Sequence, residues 1–275
     1  MRRLEGKVAI VVGAGQTPGE TIGNGRATAL RFAEEGARLL LVDRSLESAE
    51  ETLALIGEAG KKNASESGAE LADASCFTAD VSRESECKAV IDCCMERYGR
   101  VDILHNNVGI GAGDTGPAHI EEEVWDLIHS VNLKSVVFTC KHVLPVMRAQ
   151  NGGCIINISS IAAICSTGII AYKTSKMAIN AYTQSLAVGN GKYNIRANVI
   201  MPGLMETPMA IDGLVYRGID RETLIAQRNK QVPLGQKMGS AWDIANAALF
   251  LASDEARFIS GIALPVDGAQ SARVG

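Results

Sequence analysis

Apolar residues gather into short runs along the chain: KVAIVV (7–12), ARLLLVD (37–43), SCFTAD (75–80), VDILHN (101–106), CIINIS (154–159), IRANVIM (195–201) and IALPVD (262–267). Helix-length amphipathic stretches separate them. Runs this short and rich in β-branched residues predict strands buried on both faces. Strands that alternate with helices predict a parallel sheet covered on both sides, so the expected fold is a doubly wound α/β layer of about seven strands, one domain over residues 1–275. The polar stretch GEAGKKNASESGAELADA (57–74) is longer than an ordinary connection, and it is expected to be a solvent-facing extension rather than a domain boundary.

Composition narrows the function classes. With 47% hydrophobic and 21% charged residues the chain can bury a full core, and its net charge of −4 provides no basic field for a nucleic-acid backbone. The longest apolar runs fall far short of the roughly 20 residues that span a bilayer. The N-terminus MRRLEGKVAIVVG has no apolar signal core, which points to the cytoplasm. The seven cysteines form no C-x-x-C pair and the four histidines are scattered, so buried reduced thiols and no metal are expected.

Three features carry chemistry. The run VVGAGQTPGETIGNGRATAL (11–30) turns a strand into a helix through glycines, as a loop must when the backbone approaches a pyrophosphate at a helix N-terminus. Asp43 ends the second strand, where a carboxylate would accept hydrogen bonds from ribose hydroxyls and repel a 2′-phosphate. NAD is therefore favoured over NADP, although the adjacent Arg44 could pair with that phosphate. Tyr172 and Lys176 are four residues apart and share a helix face. A tyrosine of ordinary pKa near ~10 is a poor base, and an ammonium ~4 Å away at an effective dielectric of ~20 supplies about the 3–4 kcal/mol needed to lower it by two to three units.

These segments resemble the short-chain dehydrogenase/reductase family along essentially the whole chain, which implies a Rossmann-like fold. The family's T-G-x-x-x-G-x-G pattern places its glycines at Gly13, Gly23 and Gly25, with Asn24 between the last two. Nine residues, AGQTPGETI, stand where the pattern has three, and Val12 replaces the threonine. The six extra residues are expected to form a protruding turn, with Thr17 and Thr21 available to the phosphates and Glu20 in solvent. The resemblance further implies that Asp80 and Val81 lie near the adenine, that Asn107, Val108 and Gly109 lie beneath the ribose, and that Pro202, Gly203, Met205 and Thr207 hold the nicotinamide side, where Tyr172 and Lys176 also meet the cofactor. It completes a catalytic tetrad with Asn132, at a kink with a bound water, and with a serine of the NISS segment. Ser159 is thirteen residues before Tyr172, the family spacing, and Ser160 twelve; strand register assigns the role to Ser160, since NISS aligns without gaps and a one-residue loop deletion absorbs the difference.

The expected activity is NAD-dependent hydride transfer between the nicotinamide and a secondary alcohol or ketone, by a homodimer or homotetramer. The alternatives are an NADPH-dependent ketoreductase of 3-oxoacyl type and a catalytically silent NAD-binding scaffold. Residues 204–235 form the variable substrate-loop segment. Its Arg217, Arg221 and Arg228 could meet an anionic substrate, though a solvated helix face accounts better for at least two of them.

Overall fold

A computed structural model describes residues 2–67, 72–165, 168–215 and 218–273. Its strands are β1 (Val8–Val12), β2 (Arg38–Asp43), β3 (Ala74–Thr78), β4 (Ile103–Asn106), β5 (Gly153–Ile158), β6 (Ile195–Pro202), β7 (Met205–Glu206), β8 (Gly239–Ser240) and β9 (Ala263–Val266). Its helices are α1 (Asn24–Glu34), α2 (Leu46–Ser67), α3 (Glu84–Tyr98), α4 (Glu122–His129), α5 (Ser135–Gln150), α6 (Ala171–Asn190), α7 (Asp212–Val215), α8 (Arg221–Asn229) and α9 (Ala241–Ala252).

Seven strands build one sheet in the order β3-β2-β1-β4-β5-β6-β9, every neighbouring pair parallel. The strand residues divide by parity, as a pleated strand requires. Val8, Ile10 and Val12 of β1 face a core with α3, α5 and α6, whereas Ala9 and Val11 face the opposite core with α1, α2 and α9. Both faces of the sheet are thus dry, which is why the strands read as unbroken apolar runs.

The expected seven-stranded doubly wound sheet is observed. The paired β7 and β8 are additional; two-residue strands carry no periodicity to read. The 57–74 segment differs from expectation, because 57–67 continue α2 as helix; 68–71 lie outside the described residues. Alanine, glutamate and lysine favour a helix there, and Leu53 and Ile56 pack its preceding turn against the core, which offsets Gly57 and Gly60.

Chain order around the sheet reverses between β1 and β4, which opens a crevice at the carboxyl ends of the strands. Register then decides what meets there. Val12 is level with Val42 and with Asn106, and Asn106 is level with Asn157. Gly13, Asp43, Asn107 and the two serines after β5 consequently emerge along one edge.

Candidate active site

The chain leaves β1 at Gly13, which has φ +81 and donates its N–H to Val42 O (2.8 Å). Positive φ favours glycine. In the first turn of α1, Gly25 lies against this turn: a Cβ there would stand 1.8 Å from the Gly13 carbonyl oxygen and 2.7 Å from Asn107 Nδ2. Asn107 Nδ2 itself donates to Gly13 O (3.2 Å), so the end of β4 braces the turn.

The intervening nine residues are held from several sides. Gly15 N donates to Asp43 Oδ2 (3.0 Å), and Gln16 N to Ser48 Oγ (2.9 Å) at the start of α2. The Gln16 side chain closes the loop, Nε2 donating to Thr21 O (3.3 Å) and Oε1 accepting from Gly23 N (2.8 Å). Residues 17–20 are exposed, as a protruding turn would be. Glu20 is 77% exposed, yet it also pairs with Arg221 of α8 (3.3 Å). Thr21 Oγ1 and Asn24 Oδ1, beside the α1 N-terminus, are buried and have no hydrogen-bond partner. An unpaired hydroxyl at a helix N-terminus fits an anionic group.

Replacing AGQTPGETI with a three-residue linker is expected to leave a folded protein whose NADH affinity, read by fluorescence titration, falls by at most about tenfold, or ~1.4 kcal/mol. Complete loss of binding in a folded variant would make the insertion itself the phosphate cradle.

At the end of β2, the Asp43 carboxylate also accepts from Ser45 N (3.1 Å). Its two oxygens together carry about four acceptor sites, so capacity remains for ribose hydroxyls. Arg44 is exposed beside it. Asp80 accepts from the N–H and Oγ of Ser82, and the hydroxyl bond holds its carboxyl below the usual range, with Arg83 and Arg44 adding to the effect.

After β5 the two serines separate. Ser159 Oγ is buried and donates to Lys176 O (2.8 Å), a bracing contact to α6. Ser160 Oγ accepts from Ala162 N (3.1 Å) and lines the cavity together with Tyr172, whose pKa it lowers. Tyr172 begins the second residue of α6, with Lys176 one turn on; the Lys176 Nζ lies 5.7 Å from the tyrosine ring centroid and donates to Ile158 O (3.0 Å). The charge relation differs from the sequence-based expectation. Burial raises the Tyr172 pKa, and Ser160 offsets this only in part. Burial likewise pushes Lys176 down to about 8. The reason is dryness: desolvation disfavours both charged forms, and the ammonium is directed to a main-chain carbonyl rather than to the phenol.

Asn132 lies in a π-helical turn (Ser130–Lys134) joining α4 to α5, a kink of the kind expected for a polar residue in an apolar helix. Its Oδ1 accepts from Ile110 N (2.7 Å), and its Nδ2 donates to Ile110 O (2.9 Å) and Ser175 Oγ (3.1 Å). The carboxamide is therefore committed to bracing, with one Oδ1 lone pair left over for a water. Gly109 faces Lys176 so closely that a Cβ would come within 2.9 Å of Nζ.

Across the crevice, Gly203 N donates to Val266 O (3.0 Å), and a Cβ at Gly203 would meet Gln270 Oε1 at 2.5 Å. The 204–235 segment has a small core of Ile211, Leu224 and Val232, which Met238 just beyond it completes. Its two described arginines are engaged within the protein rather than free on a solvated face. Arg221 pairs with buried Asp212 and with Glu20, Arg228 Nη1 donates to Ala210 O (2.9 Å), and Arg217 lies outside the described residues.

One cavity of about 930 Å³ joins these parts. Gly13, Gly23, Asn24, Gly25, Asp43, Arg44, Asp80, Val81, Asn107, Val108, Gly109, Ser160, Tyr172, Lys176, Pro202, Gly203, Met205 and Thr207 all line it, and Asn132 stands behind its wall. The sequence reading missed Gln16, Ser48 and Ser175. Their roles are hydrogen bonds to loops folded against them, for which no local spacing is diagnostic. Among the described residues no cluster of three or more His, Cys, Asp or Glu could hold a metal, and no helix is long and apolar enough to cross a membrane.

Comparison with known proteins agrees along the chain. The family model described as enoyl-(acyl carrier protein) reductase matches residues 20–269. The 2-(R)-hydroxypropyl-CoM dehydrogenase of Xanthobacter autotrophicus is 36% identical over 97% of this chain and 99% of its own length. The levodione reductase of Leifsonia aquatica is 33% identical over 98% and 96%. Among solved structures, a short-chain dehydrogenase/reductase from Burkholderia xenovorans superimposes with TM-score 0.92 at 40% identity, both chains covered completely.

Proposed function

This chain belongs to the short-chain dehydrogenase/reductase family, nicotinamide-dependent oxidoreductases of alcohols and ketones, and within it we propose an NAD-dependent dehydrogenase of secondary alcohols. The observation that carries the reading is one continuous cavity with Asp43 at one end and Ser160, Tyr172 and Lys176 at the other.

The cradle fits a dinucleotide. Gly25 and Gly13 keep the turn open to close approach, Thr21 Oγ1 supplies an unpaired hydroxyl donor, and Asp43 has acceptor capacity left for ribose hydroxyls. Pro202, Gly203, Met205 and Thr207 would hold the nicotinamide end, with Lys176 on its ribose. Bound NAD would accept, at C4 of its nicotinamide, the hydride that leaves the carbinol carbon.

The remaining steps belong to the protein. The Ser160 hydroxyl donates to the substrate oxygen and holds it near the tyrosine. Tyr172 as phenolate removes the hydroxyl proton as the carbonyl forms, and returns a proton in the reductive direction. Lys176 favours the phenolate through its charge, an effect strengthened in a dry site. Asn132 fixes the loop through Ile110 and is assigned to a water relay toward Lys176. Oxidation of 1,2-propanediol, cyclohexane-1,2-diol, 1-phenylethanol or a hydroxysteroid, followed by NADH absorbance, tests the reaction. A chain that binds NADH but oxidises no alcohol of the panel and reduces none of the matching ketones would be the silent scaffold.

Arg44, exposed at the cavity edge, favours the second reading, an NADPH-dependent ketoreductase. Asp43→Ala is expected to shift the ratio of NADH to NADPH affinity toward NADPH by at least about tenfold, ~1.4 kcal/mol, since it removes a ribose acceptor and a like charge. An unchanged ratio by fluorescence titration would remove Asp43 from the ribose site. Exposed Met177 and Val188 on α6 support assembly as a homodimer or homotetramer, which light scattering checks.

A further inference from the structure

Helix α6 begins without a cap of its own: Ile170 occupies the N-cap position and its side chain cannot accept a hydrogen bond. The first amides of a helix have no partner within it. Here they are satisfied from far away in the sequence, by Asp114 on the connection between β4 and α4. Asp114 Oδ1 accepts from Ile170 N (3.2 Å) and Ala171 N (3.1 Å), and Oδ2 accepts from Tyr172 N (2.7 Å). A carboxylate can take all three, and its charge is favourable at the positive end of the helix.

The shortest of these bonds goes to the amide of Tyr172 itself. The carbonyl of Tyr172 is held as well: it accepts from Ser175 Oγ (2.7 Å), which in turn accepts from Asn132 Nδ2 (3.1 Å). Both peptide groups of the tyrosine are thereby tied to the same connection, since Asn132 also binds the N–H and C=O of Ile110. Gly111, between those anchors, flanks the ring; a Cβ there would lie 3.3 Å from Tyr172 Cδ2. On the next residue, Lys173 Nζ donates to the carbonyls of Ala162 (3.2 Å) and Cys165, fastening the Ser160 turn to the same first turn of α6.

We propose that Asp114 is a positioning residue: by capping α6 at Ile170, Ala171 and Tyr172 it fixes where the Tyr172 hydroxyl stands relative to Ser160. The proposal rests on the dehydrogenase reading above. A first turn of helix frays when its amides are unpaired, and the tyrosine is inside that turn. Displacement of a reacting group by about 1 Å can lower a rate by ~10²-fold, so loss of the cap acts on turnover. Asp114 does not line the cavity, so cofactor binding is left alone.

Asp114→Ala and Asp114→Asn test this. In the alanine variant, hydrogen exchange at the amides of residues 170–172 is expected to quicken at least tenfold, kcat with the best alcohol of the panel to fall at least tenfold, and the NADH dissociation constant to stay within twofold. Asparagine keeps one acceptor oxygen for three donors, so its kcat lies between alanine and wild type. Wild-type kcat with faster exchange would reduce the cap to a structural contact, and NADH affinity weakened as much as kcat would mean a general collapse of the site; either result overturns the proposal. If the alanine variant does not fold, the asparagine variant decides: lower kcat with unchanged NADH affinity supports the proposal, unchanged kcat overturns it. Should the wild type act on no alcohol or ketone, the dehydrogenase reading has failed, and exchange at 170–172 still tells whether Asp114 is the cap; unchanged exchange in a folded alanine variant refutes it on its own.

Discussion

Tyr172→Phe is expected to lower kcat by about 10²–10⁴-fold while NADH affinity stays within about twofold, because only the proton-transfer oxygen is removed. The ring keeps its place against Gly111 and the helix keeps its cap, so the loss is read in the chemical step and not in binding. Stopped-flow absorbance at the nicotinamide band, with fluorescence titration of NADH, separates the two. Retention of most activity would place the general base elsewhere. The buried environment sharpens the expectation: Tyr172 sits above its ordinary pKa and Lys176 near 8, so the cofactor-free site is not set to ionise the phenol.

Gly25→Ala is expected to abolish NADH binding and to destabilise the fold by about 3 kcal/mol or more, the upper range for overpacking. A Cβ at 1.8 Å from a main-chain oxygen has no rotamer to retreat to; α1 must move away from β1 and break the turn at Gly13. For a domain of this size the melting temperature is expected to drop by roughly 6–12 °C. Gly57→Ala is the control, since a Cβ there meets nothing within 4 Å and a helix interior favours alanine by ~0.5–1 kcal/mol. A Gly25→Ala protein that melts and binds like wild type would show that the glycine turn is not packed as described.

The apolar runs determined the sheet by themselves, because strands buried on both faces leave no ambiguity of register with solvent; all seven stand where hydrophobicity placed them to within one or two residues. The spacing of Tyr172 and Lys176 determined that they share a helix face, and the position of Asp43 at a strand end determined that it reaches the crevice, since both are consequences of local periodicity. The alternation of strand and helix likewise determined a parallel sheet.

Tertiary structure alone decided the rest. Strand register pointed to Ser160 over Ser159, but only the approach of α6 commits Ser159 to Lys176 O and leaves Ser160 in the cavity with Tyr172. The inserted loop is not a free protrusion, because Gln16, Asp43 and Ser48 close its base and Arg221 reaches Glu20 from α8, partners that chain separation hides. Helicity of 57–67 needed the packing of Leu53 and Ile56 in the preceding turn as well as the helix-favouring composition. Burial moves the pKa of Tyr172 up and that of Lys176 down for the same kind of reason. Spacing fixes that two groups are neighbours, but their charge states follow from how much water the fold removes around them, and that is a property of the assembled crevice, not of any segment that lines it.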